Sequence, residues 1–124
     1  MSISDPIAKA IINAQHRVLS APADYVFPLD PVLLGATNVF DGLKTHGESM
    51  AFLVMDIQQY ANLRKFHRDV LEIEVHAELL KKGLMGYLYG VPLLAVRDML
   101  PNHWVLVPKD EGNTLLVVKF EEPS

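Results

Sequence analysis

Five histidines are the side chains of this sequence best suited to metal binding or proton transfer, and they stand at positions 16, 46, 67, 76 and 103. No two of them are three or four residues apart, the spacing that places two ligands on one helix face. His76 has acidic neighbours at alternate positions, namely Glu72, Glu74 and Glu78. In a strand these four side chains would share one face and could surround a divalent ion. We favour a solvated edge or a subunit contact for this face, and we assign no metal ligand.

Nucleophile and phosphate-binding motifs are incomplete. Ser49 follows Gly47-Glu48, but the second glycine of a Gly-x-Ser-x-Gly elbow is missing. The glycine-rich segment 83–90 lacks the Lys-Ser or Lys-Thr end and the helix of a phosphate loop, because Val91-Pro92 continues into a strand. The sequence therefore predicts no catalytic residue, no cofactor and no enzymatic activity.

The composition predicts one folded domain, residues 1–124. Hydrophobic residues make up 50% of the chain and charged residues 21%, which favours a folded core over disorder. So many apolar residues in a short chain predict that some are buried between subunits. The net charge of −4 argues against direct contact with nucleic acid. With no cysteine and no apolar run of membrane-spanning length, we expect a cytoplasmic protein without membrane contact.

The first third of the chain predicts helix and a little extended structure. Asp5-Pro6 is a helix start, and apolar residues at helical spacing predict a helix over 6–19. Residues 25–27 form a short extended run. Asp30-Pro31 predicts a second helix, with apolar positions continuing to Leu43. The remaining polar stretch is predicted as a loop that comprises Asp41-Gly42 and residues 44–49.

The middle of the chain predicts a buried strand, a helix and an exposed strand. Residues 50–55 are an uninterrupted apolar run, typical of a central strand covered on both faces. Asp56 and Gln59 have the spacing of a capping box at the start of a helix over 57–67. Residues 71–77 alternate and predict a strand with one acidic face. Residues 78–82 before Gly83 fit a helical turn with a glycine cap.

The rest of the chain predicts β-structure, with strands at 87–89, 91–96, 104–107 and 114–120 joined as antiparallel hairpins. Turns are expected at Pro101-Asn102 and at 110–113. Gly83, Gly86 and Gly90 tolerate positive φ and close backbone approach, and their spacing fits a chain that leaves a helix, turns twice and enters a sheet. The predicted fold class is α+β, a mostly antiparallel central sheet flanked by two or three helices. Leu93 and Val105 are predicted core residues, at which a charge would abolish folding.

The segment 82–96, Lys-Gly-Leu-Met-Gly-Tyr-Leu-Tyr-Gly-Val-Pro-Leu-Leu-Ala-Val, resembles the carboxy-terminal part of tailed-phage major capsid proteins and encapsulins. Before it come an apolar strand ending in Met-Asp and a helix carrying Leu-Arg-Lys, and after it come Met99-Leu100-Pro101 and an apolar strand over 104–108. The resemblance covers residues 50–120. Its motif positions are Gly83, Gly86, Gly90, Pro92 and Pro101.

This resemblance implies the axial domain of the Hong Kong 97-like shell fold standing alone, as in short encapsulin-like proteins. It implies contacts around five-fold or six-fold axes, copies of the same chain as partners, protein cargo for a compartment, and a cytoplasmic or virion location. Two alternatives are a small metal-binding enzyme or ligand-binding domain using His76, Glu74 and Glu72, and an adaptor whose partner covers the apolar surface.

Overall fold

The computed structural model describes residues 5–29, 38–110 and 114–122, which form a mixed seven-stranded sheet with helices on both faces. The strands are β1 (Tyr25–Pro28), β2 (Met50–Asp56), β3 (Leu71–Ile73), β4 (Leu84–Leu88), β5 (Val91–Val96), β6 (His103–Pro108) and β7 (Leu116–Glu121). The helices are α1 (Pro6–Ser20), α2 (Asn38–His46), α3 (Ile57–Phe66) and α4 (Ala77–Lys82), and a 3₁₀ turn, Gly47–Ser49, joins α2 to β2.

The strand order is β1-β7-β6-β2-β5-β4-β3, which places the apolar run of β2 at the centre of the sheet, as predicted. The β1–β7 and β2–β5 pairs are parallel, and the other four pairs are antiparallel. The α+β class with a mostly antiparallel, helix-flanked sheet is therefore confirmed. The β4–β5 and β6–β7 hairpins form, but β5 and β6 do not pair, because β2 lies between them.

Two apolar cores lie on the two faces of the sheet. On one face α1 packs through Ala10 and Ala14 against side chains that include Val54 and Val105. On the other face Leu43 of α2 and Leu63 of α3 pack with Trp104 and its neighbours. Small alanine side chains let α1 lie close to the sheet. Leu93 and Val105 are completely buried, so their predicted core positions are confirmed.

Helix α1 has the predicted start and end. The carboxylate of Asp5 accepts a hydrogen bond from the backbone N–H of Ile7 at 3.0 Å, as an N-cap does. At the other end Arg17 donates to the carbonyl of Ala21 at 3.0 Å and pairs with Asp24 at 3.2 Å. Asp24 also accepts from the N–H of Val117 at 2.8 Å, which ties the end of α1 to β7.

The second predicted helix is only partly within the described residues, because Asp30-Pro31 falls outside them. The loop predicted at Asp41-Gly42 and 44–49 is wrong, since 38–46 is helical and 47–49 is a 3₁₀ turn. Leu43 explains the difference: it is buried in the core, and this tertiary contact outweighs the low helix propensity of Gly42.

The three motif glycines have different roles. Gly83 ends α4 at φ +104, and Gly90 takes φ +79 in the β4–β5 turn beside Tyr89, which has φ +50. Tyr89 therefore belongs to the turn, although it was predicted to be in a strand. Gly86 lies inside β4, where a Cβ atom would collide with the backbone carbonyl oxygen of Glu72. The close backbone approach therefore occurs at Gly86, but this glycine lies inside a strand, whereas the sequence analysis expected two turns before the sheet.

The two motif prolines lie in or beside strands. Pro92 is in β5 opposite Tyr87 of β4. Pro101 precedes Asn102, which takes φ +63 and forms the predicted turn before β6. Of the predicted turn at 110–113, residues 111–113 lie outside the described part of the chain.

Candidate functional site

The corner between β3 and α4 contains the acidic cluster singled out in the sequence, and its side chains point differently from the prediction. Strand β3 ends at Ile73, before the alternation of the sequence ends. Glu74 is turned inward and is only 6% exposed, whereas Val75 is 79% exposed. The prediction that Glu72, Glu74, His76 and Glu78 share one exposed strand face is therefore wrong.

Hydrogen bonds to the Glu74 carboxylate explain why it is buried. One oxygen accepts from the backbone N–H groups of Val75 and His76, at 2.9 and 3.0 Å, and lies 2.8 Å from Nδ1 of His76. The other oxygen accepts from the hydroxyl of Tyr87 at 2.7 Å. The hydroxyl of Tyr87, followed by the N–H and side chain of His76, lowers the pKa of Glu74 from 4.5 to about 2. The same contact with Glu74 raises the pKa of Tyr87.

These contacts leave Glu74 poorly suited to metal binding. Both of its oxygens already accept hydrogen bonds, and a metal would have to displace those donors. The residues that the structure describes contain no group of three or more His, Asp or Glu side chains that could hold a metal ion. The arrangement instead fixes the backbone that leads from β3 into α4.

The other histidines do not complete a site. His16 and His46 are exposed, whereas His67 and His103 are buried. Nδ1 of His103 donates to the carbonyl oxygen of Pro101 at 2.8 Å, which orients the ring within the turn before β6.

A second buried polar group lies at the centre of the molecule, and the sequence analysis missed it. Oε1 of Gln59 accepts from the indole N–H of Trp104 at 3.0 Å, and Nε2 donates to the side chain of Asn102 at 3.3 Å. Only the Asp56 half of the predicted capping box is correct, because its carboxylate accepts from the N–H of Gln58 at 3.2 Å while Gln59 points inward. Oδ1 of Asp56 is buried without a hydrogen-bond donor among the described residues. The indole N–H of a buried tryptophan needs an acceptor. This requirement of Trp104 was the signal in the sequence that could have indicated a buried polar partner.

A surface depression with polar and apolar lining residues lies beyond the carboxyl ends of the parallel pair β2 and β5. It has a volume of about 350 Å³ and lies where α1, α3 and α4 meet. Ile57, Met85 and Val96 line its floor, and Lys81, Lys82 and Arg97 stand around it. We call it the cationic groove. The sequence analysis did not find it, because its lysines and its arginine come from separate segments of the chain.

An apolar pocket of about 310 Å³ lies on the face of the sheet that α2 covers, between α2 and strands β1, β6 and β7. Its walls include Phe27, Leu43 and Trp104, and the polar side chains that reach it are those of Tyr25 and His46. These groups supply neither a nucleophile with a neighbouring base nor a pair of carboxylates.

No protein-family model, no curated protein and no solved structure matched the chain. The resemblance to shell proteins therefore stays a prediction from the motif. None of the described helices is long and apolar enough to cross a membrane.

Proposed function

We propose that this chain is a self-assembling structural subunit, related to Hong Kong 97-like shell proteins, that forms pentameric or hexameric rings or a larger particle. The observation that supports the proposal is the position of exposed apolar side chains at both ends of the sheet. Tyr25 and Val26 are exposed on edge strand β1, and Ile73 is exposed on the opposite edge strand β3.

Edge strands promote association because their outward backbone N–H and C=O groups have no strand partner. The strand pairings make β1 and β3 run in the same direction, although they lie at opposite edges of the sheet. Contacts between two unlike surfaces of one chain are heterologous, and they close into a ring when the rotation between copies permits. Apolar groups at opposite ends of the subunit are what a repeating contact of this kind needs.

The three motif glycines shape the backbone, which is compatible with the role of a structural subunit. Gly83, Gly86 and Gly90 shape a helix end, a close strand pair and a hairpin turn. The partners under this proposal are further copies of the chain and, in an encapsulin-like particle, protein cargo. The expected location is the cytoplasm, or the virion for a phage-encoded protein.

Sedimentation velocity combined with electron microscopy of the purified protein tests the proposal. We expect species many times heavier than the 13.9 kDa chain, visible as rings or particles. Val26→Lys, which places a charge on an exposed edge, should weaken assembly while circular dichroism shows that the dissociated chain is still folded. Ala61→Lys, at an exposed position of α3, is the matched control and should assemble like the wild type. A wild-type monomer throughout the micromolar range would refute the proposal.

A further inference from the structure

The cationic groove combines an apolar floor with positive charges that the subunit itself leaves unneutralised. Ile57 is 44% exposed at the groove. Neither Lys81 nor Arg97 has an ion-pair partner among the residues described, and Lys82 is 3.6 Å from Asp5 but still half exposed. A complementary group would place an apolar side chain on the floor and carboxylates beside the cations.

The corner between β3 and α4 presents the opposite combination. Val75 is the most exposed large apolar side chain in the described residues, and it lies between exposed Glu72 and Glu78. Neither glutamate has a partner in the described part of the chain. We call Glu72, Val75 and Glu78 the acidic corner.

Glu74 holds the acidic corner in a defined shape before any contact is made. Its carboxylate accepts hydrogen bonds from the N–H groups of Val75 and His76, and Tyr87 anchors it to β4. A surface loop that is already ordered loses less conformational entropy on binding. The buried Glu74 therefore helps to present the exposed Val75.

We propose that the acidic corner of one copy docks in the cationic groove of a neighbouring copy, with Val75 on the floor and Glu72 and Glu78 beside Lys81 and Arg97. This inference rests on the proposed function and adds a second contact, distinct from the one between the strand edges. The corner and the groove are different surfaces of one chain, so in a ring this contact is heterologous and repeats from copy to copy. Its charged rim makes assembly weaker at high salt concentration.

Charge reversal on each side tests the contact. The groove variant is Lys81→Glu with Arg97→Glu, and the corner variant is Glu72→Lys with Glu78→Lys. Each variant alone places like charges against each other, so we expect the dissociation constant measured by sedimentation to rise at least roughly tenfold. An equimolar mixture should assemble when the ring has an even number of copies, because the variants then alternate and every corner meets a groove of opposite charge. The fourfold variant in one chain should assemble for the same reason, whatever the number of copies in the ring.

Matched controls carry the same charge changes elsewhere. Lys65→Glu with Lys109→Glu controls for the groove variant, and Glu48→Lys with Glu122→Lys controls for the corner variant, since all four residues are exposed. Both controls should assemble like the wild type, and circular dichroism should show that every variant is folded.

The outcomes separate this inference from the proposed function. If the wild type assembles and both variants assemble equally well, the corner-to-groove contact is wrong while self-assembly stands. If the variants dissociate but neither the mixture nor the fourfold variant recovers, the contact is also wrong. A monomeric wild type would overturn both proposals.

Discussion

The centre of the sheet and the β3–α4 corner follow different physical rules, although both were interpreted from the same kind of apolar pattern. In β2, β5 and β6 the apolar pattern correctly placed Leu53, Leu93 and Val105 in the core, and other members of the runs, such as Phe52, are only partly buried. At the corner the pattern failed, because Glu74 is buried and Val75 is exposed. Apolar pattern decides orientation where a strand has neighbours on both sides, and local hydrogen bonding decides it at an edge.

The two regions also differ in what stabilises them. The centre depends on removing large side chains from water on both faces of the sheet. The corner depends on a charged carboxylate that accepts from a hydroxyl and two backbone N–H groups, and hydrogen bonds to a charged group are stronger than neutral ones. The predictions below test this difference.

The largest expected effect is that of a charge in the centre. Val105→Asp buries an unpaired carboxylate at a fully buried position and should cost more than about 4 kcal/mol, enough to abolish cooperative folding. The matched control is Ile12→Asp at an exposed position of α1, which should change the free energy of unfolding by less than about 1 kcal/mol. Circular dichroism during thermal unfolding measures both. A cooperatively melting Val105→Asp protein would show that the central position is wrongly assigned.

A smaller effect is expected where β3 meets β4. Gly86→Ala places a Cβ against the backbone of Glu72, so the edge strand must shift, at a cost of about 2–3 kcal/mol. Gly42→Ala, in helix α2 with open space around it, should instead stabilise the protein by about 0.5–1 kcal/mol. Urea unfolding distinguishes them, and equal stability of the two variants would contradict the close approach of β3 and β4.

Loss of the hydrogen bond between Gln59 and Trp104 in the centre should lower the stability by a smaller amount. Gln59→Leu keeps the side chain's approximate size but leaves the Trp104 N–H without its acceptor, at a cost of about 1–2 kcal/mol. Gln58→Leu changes an exposed neighbour and should be close to neutral. Denaturant unfolding followed by Trp104 fluorescence measures both. Equal stability of Gln59→Leu and the wild type would show that the indole N–H does not depend on Gln59.

At the β3–α4 corner, the contribution of the Glu74 carboxylate to the stability of the folded protein should depend on pH. Because folding lowers the pKa of Glu74 from 4.5 to about 2, its ionised form stabilises the folded protein above pH 4.5, and this contribution is lost as the pH falls toward 2. Glu74→Gln lacks the contribution at every pH. The melting temperature of the wild type should therefore exceed that of Glu74→Gln at pH 7, and the difference should shrink between pH 4.5 and 2. Glu72→Gln is the control, and a difference that does not change with pH would refute the role of the carboxylate.

Much of the fold was determined by the sequence itself. The Asp5-Pro6 start, the uninterrupted run of β2 and the glycine cap at Gly83 are local signals, because cap chemistry, burial on both faces and positive φ depend on residue type at one place. The sequence also predicted the α+β class and the β4–β5 and β6–β7 hairpins on either side of β2.

The tertiary structure alone decided the rest. The insertion of β2 between β5 and β6 depends on contacts far apart in the chain, and the helix through Gly42 depends on the burial of Leu43. The cationic groove exists only because α4 and the end of β5 bring Lys81 and Arg97 to one depression. Glu74 turned inward because Tyr87, thirteen residues away, supplied a donor that the alternation of the sequence could not reveal. A sequence pattern reports what each side chain prefers, and which partner it meets is fixed only when distant segments pack together.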